Sequence, residues 1–80
     1  MATKRLKLTF PQDLIKEPVI YTMAKKFNVM PNIRRAKVTE SVGEVVLELE
    51  GPDAKLAEGI AYLRERGVKI EVVEGDVENA

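Results

Sequence analysis

The stretch Phe27-Asn28-Val29-Met30-Pro31-Asn32-Ile33-Arg34-Arg35-Ala36-Lys37-Val38 decides the fold. Before it, apolar residues recur with the period of a helix. After it, they alternate as in a strand. Pro31 cannot continue a helix, because its ring clashes with the preceding turn and it has no N–H to donate. The pair Asn32-Ile33 then opens a strand over residues 32–40, with Ala36 and Val38 inward and Arg35, Lys37 and Thr39 outward. A helix passed to a strand through so short a turn belongs to an α+β domain.

Working outward, Val19, Ile20, Met23, Ala24 and Phe27 make the apolar stripe of the preceding helix. Pro18 suits its first position, where a missing N–H costs nothing. Residues 5–10 alternate Arg5, Lys7 and Thr9 against Leu6, Leu8 and Phe10, a half-buried strand. Pro11-Gln12-Asp13 breaks it, and Leu14 and Ile15 anchor the loop. Downstream, Ser41-Val42-Gly43 reads as a hairpin turn with Gly43 supplying a positive φ. Val45, Leu47 and Leu49 point inward from a third strand, with Val46, Glu48 and Glu50 outward. Gly51-Pro52-Asp53 opens a second helix with Leu56, Ile60 and Leu63 on its apolar side, Ala57 and Ala61 beside them. Gly67 stops it at C′. Val68, Ile70 and Val72 face inward from a fourth strand. The expected domain is residues 1–74, followed by a polar, loose tail over 75–80. Gly59, in mid-helix, costs roughly 1 kcal/mol relative to alanine. Its place beside Leu56 and Leu63 predicts a close helix–sheet approach.

The order β-α-β-β-α-β, with short right-handed connections, gives a ferredoxin-like sandwich. It has a four-stranded antiparallel sheet of order 4-1-3-2 and two helices on one face. The outward charges agree. Arg5 and Lys7 mark the first strand, Glu48 and Glu50 the third, and Arg35 and Lys37 the second. This order sets the acidic strand between two basic ones. Each opposite-charge cross-strand pair contributes about 0.2–1 kcal/mol.

Composition narrows the function. Eighty residues allow one domain. Thirteen Lys and Arg balance thirteen Asp and Glu, which gives no general attraction to nucleic acid or anionic membrane. The chain has no Cys and no His, so disulfides, thiolate nucleophiles and imidazole metal sites are excluded. No cofactor is expected. Acid–base work would fall to carboxylates or lysines, and none lies in an evident apolar pocket. A non-enzymatic role is the expectation. Apolar runs are too short to insert in a membrane, and the N-terminus lacks a signal-peptide apolar region. The expected location is cytoplasmic. The aromatics Phe10, Tyr21, Phe27 and Tyr62 do not make the base-stacking face of an RNA-binding sheet.

Five segments carry a resemblance: the strand ending in Phe10-Pro11, Lys16 to Tyr21, Asn32 to Val38, Glu48 to Gly51, and Ala61 to Val72. In order and spacing they resemble the NIL domain family over nearly the whole chain. The resemblance implies the fold deduced above and a likeness to amino-acid-sensing ACT domains. It further implies the regulatory module found at the C-terminus of methionine-importer ATPases, which binds methionine and shuts transport down. Such domains also precede iron–sulfur ferredoxin modules or stand alone, and the tail resembles the ferredoxin-linked members more. The partners implied are an amino-acid ligand such as methionine, a second copy of the chain, and a fused or associated ABC-transporter ATPase or ferredoxin module.

The family's Asn-Ile-Leu stands here as Asn32-Ile33-Arg34. Asn32 holds the family's ligand position. It either meets the backbone groups of a bound amino acid or satisfies those of the preceding turn. Met30 and Ile33 either line an apolar pocket or anchor the loop. Arg34 shares strand phase with Ala36 and Val38, so it must sit at the sheet end or turn aside. There it either meets a ligand carboxylate or is solvated. Two functions stay open: a ligand-binding regulatory module, and a homodimerisation or docking module without a ligand that uses the second strand as an edge.

Overall fold

The computed structural model describes residues 2–73. Strand β1 (Ala2–Phe10) leads through a 3₁₀ turn (Gln12–Leu14) to helix α1 (Val19–Phe27). Strands β2 (Met30–Val38) and β3 (Gly43–Gly51) form a hairpin, and helix α2 (Asp53–Arg66) leads to β4 (Lys69–Val72). The sheet order is β2-β3-β1-β4 with every pair antiparallel, the interleaved order that the charges favour. The expected tail over 75–80 lies outside the described residues.

Alternation builds the core. Leu6 and Leu8 of β1 stand opposite Leu47 and Val45 of β3, and all are buried. Val19 and Met23 of α1 and Leu56 and Leu63 of α2 join the same cluster, so both helices cover one face of the sheet. The other face carries charge. Arg5 is opposite Glu48, and its Nε and Nη2 lie 2.9 and 2.8 Å from Glu48 Oε2. Lys7 faces Glu71 of β4, and Lys37 faces Glu44.

Several local expectations need correction. Helix α1 ends at Asn28, not by the action of Pro31. Asn28 adopts the left-handed conformation (φ 57°), and the Val29 N–H bonds back to the Ala24 carbonyl at 3.1 Å. Pro31 lies inside β2, which tolerates proline because it is an edge strand. Gly43 has no positive φ. The β2–β3 turn is closed instead by Thr39, whose N–H bonds to the Val42 carbonyl while its Oγ1 accepts from the Ser41 and Val42 N–H groups. Gly43 is small for another reason: a Cβ there would stand 3.1 Å from Ile15 Cγ1. Gly59 permits approach of helix to helix rather than helix to sheet, since its Cβ would meet Met23 Sδ of α1 at 2.9 Å. Ala57 and Ala61 are exposed. Gly67 ends α2 as expected, at φ 103°, with Val68 N–H on the Leu63 carbonyl.

Strand β2 departs most. Ala36 and Val38 occupy helix-side register positions opposite Val45 and Gly43, yet both are exposed, because the helices stop short of this edge. Val72, on the opposite edge strand, is likewise exposed.

Candidate ligand site on the edge strand

Only Pro31 is even half-buried in β2; every other residue of the strand is exposed. The register explains where each side chain goes. Met30 and Asn32 stand opposite Glu50 and Glu48, on the open, helix-free face. Pro31 and Ile33 stand opposite Leu49 and Leu47, on the helix side. The ladder then skips. Ile33 pairs with Leu47 and Arg35 with Val46, so Arg34 is the extra residue of a β-bulge. Past the bulge the phase is reversed, with Arg35 and Lys37 open and Ala36 and Val38 on the helix side. Arg34 therefore sits neither at the sheet end nor in the inward row.

Of the four nominated residues, the structure brings Met30 and Asn32 onto one face. With Thr3, Glu48 and Glu50 they line a shallow depression of about 390 Å³. Ile33 lies on the other face, and Arg34 lies at the bulge between. Asn32 is two residues inside the strand and closes no turn; the asparagine that ends the helix is Asn28. Glu48 is held by Arg5, whereas Glu50 makes no ion pair among the described residues. The corner around Asn32 thus combines an amide, an exposed thioether and a free carboxylate. It can receive an ammonium at Glu50 and a carboxylate at the Asn32 amide N–H groups.

A second concavity went unforeseen. An apolar hollow of about 210 Å³ opens at the start of α1, between Phe10, Ile15, Ile20, Tyr21, Val38 and Val45. Ile15, a loop anchor by its place in the sequence, is one of its walls. The available signal was its neighbour Gly43, whose missing side chain leaves room beside it.

Among the described residues no group of His, Cys, Asp and Glu side chains has a metal-binding arrangement, and no helix is long and apolar enough to cross a membrane.

The profile of the NIL domain matches residues 4–72. Methionine import ATP-binding protein MetN 1 of Listeria innocua is 33% identical over 75 residues, covering 89% of this chain and 22% of that protein. The corresponding protein of Coxiella burnetii is 31% identical over 72 residues, covering 85% of this chain and 20% of its own length. The chain thus spans about a fifth of these relatives. In structure it is similar to the crystal structure of the C-terminal domain of an ABC transporter ATP-binding protein from Enterococcus faecalis. That likeness has a TM-score of 0.77 at 23% identity, over 91% of this chain and 86% of the other. The profile covers most of the chain, and the chain belongs to the NIL domain family.

Proposed function

We propose that the chain is a non-catalytic regulatory domain that senses an amino acid, with methionine as the first candidate. The carrying observation is the uncovered edge strand β2, which presents Met30, Asn32, Ile33 and Arg34 to solvent in a chain whose relatives are named as methionine import ATP-binding proteins. Asn32 and Glu50 offer the polar contacts for the α-carboxylate and α-ammonium, and Met30 the apolar one. Arg34 stands in reserve at the bulge for a carboxylate. The domain works in the cytoplasm, fused to or associated with a transporter ATPase or a ferredoxin module. A ligand acts only through its differential affinity for two states, and a second copy of the chain supplies the simplest second state.

The competing function is a docking module with no ligand. One observation favours it: Met30, Ile33 and Val38 leave large apolar side chains exposed on an edge strand. Calorimetric titration with L-methionine, paired with sedimentation, separates the two. Sensing predicts heat of binding at micromolar to millimolar ligand and a ligand-dependent change in association. A dimer that is indifferent to methionine would establish docking instead.

A further inference from the structure

We propose that the helix-free face of the sheet holds a phosphate-type anion above Val46, between Arg35, Lys37 and Lys7. The ligand class is inorganic phosphate or a small phosphomonoester. The site stands independently of methionine sensing.

The observation that carries it is a break in a charge pattern. On the open face, β3 presents the column Glu44, Val46, Glu48 and Glu50. Each glutamate lies between one residue of β2 and one of β1: Glu44 between Lys37 and Thr9, Glu48 between Asn32 and Arg5, Glu50 between Met30 and Thr3. At Val46 the carboxylate is missing, yet this is the row flanked by a cation on both sides, Arg35 and Lys7. Like charges so placed repel unless an anion lies between them. The bulge at Arg34 produces this arrangement, because it turns Arg35 and Lys37 together onto the open face.

The geometry leaves a place for that anion. Valine is shorter than the charged side chains around it, and a depression of about 160 Å³ lies over it, lined by Lys7, Arg35, Lys37 and Glu44. This is room for one small ion, not for a drug-sized molecule of roughly 300–1,000 Å³. Arg35 and Lys7 stand on strands either side of β3, about 10 Å apart at the usual strand spacing, so both long side chains reach a shared anion. Arg35 and Lys37 make no ion pair among the described residues, and Lys7 has only Glu71 at 4.0 Å. Three cations against the one carboxylate Glu44 leave two positive charges in excess. A carboxylate ligand would neutralise one of them, whereas a phosphate ester carries about −1.5 to −2 at pH 7. Its several oxygens also accept from a guanidinium and two ammonium groups at once.

The test is an amide NMR titration of the whole chain in phosphate-free buffer with inorganic phosphate, then with glycerol phosphate, against sodium chloride at matched ionic strength. The expected result is a saturable footprint at Lys7, Arg35, Lys37 and Val46 that chloride does not give, and the tighter of the two probes names the source. Arg35→Gln, at an exposed position, should bind about tenfold more weakly. Val46→Glu supplies the missing carboxylate from within and should abolish the footprint. It is compatible with the fold, since Glu44 and Glu48 are half-buried in the same column. Shifts from methionine, read on the same samples, should not differ between Val46→Glu and the parent chain. Equal shifts with chloride, no footprint from either probe, or phosphate binding that survives Val46→Glu would overturn the site.

Discussion

Gly59→Ala is expected to destabilise the domain although alanine is the better helix former. In an exposed mid-helix position the exchange gains about 1 kcal/mol. Here the new Cβ would stand 2.9 Å from Met23 Sδ, 3.5 Å from Met23 Cγ and 4.0 Å from Phe27 Cδ2. Met23 has no solvent exposure, so its thioether can retreat only by displacing packed neighbours. Overpacking of this kind costs about 1–3 kcal/mol. The net loss is then about 0–2 kcal/mol, and for a domain this small each 1 kcal/mol moves the melting temperature by about 4–8 °C. The cause can be isolated in a Met23→Val background, where the sulfur is gone and the full helical gain of about 1 kcal/mol should return. Urea unfolding followed by circular dichroism measures all four proteins, and the sign of the Gly59→Ala effect should reverse between backgrounds. An equal effect in both would refute the assignment of Gly59 to the α1–α2 contact.

Two further outcomes follow from named contacts. Gly67→Ala forces a Cβ into the left-handed conformation that closes α2, at φ 103°, and should cost about 1–2 kcal/mol in urea unfolding; an unchanged midpoint would contradict the cap. A double-mutant cycle on Arg5→Met and Glu48→Gln should return a coupling of about 0.5–1 kcal/mol, since this pair is partly shielded from water at 31% and 20% exposure. That coupling should fade near 1 M salt, where charges are screened within about 3 Å, and a salt-independent value would show that packing rather than charge joins the strands.

The order of elements was legible because the apolar period changes cleanly, from alternation at Leu6 and Leu8 to helical spacing at Val19, Met23 and Phe27, and back. Charge placed the strands: Glu48 between Arg5 and the second strand is a pairing argument needing no coordinates. Local terminations were less legible. Asn28 and Pro31 both look like stops, and only backbone geometry shows that the helix ends at the first and the strand accepts the second. The bulge did leave a trace. Pro31 and Ile33 are apolar two apart, then Ala36 and Val38 resume out of step, and Arg34 fills the break. The partner of Gly59 was not readable, because a small residue on an inner helix face permits approach by any neighbour. For the same reason the hollow beside Gly43 was missed: its walls come from segments that only tertiary packing unites.

Strand β2 is the element where bound ligand should be felt. Amide hydrogen exchange of the whole chain, with and without saturating L-methionine, reads this strand residue by residue. In the presence of methionine, N–H groups of β2 between Asn32 and Val38 should exchange more slowly, while those of the β1–β3 ladder hardly change. Binding that leaves β2 exchange untouched, or protection confined to β4 and α2, would contradict it.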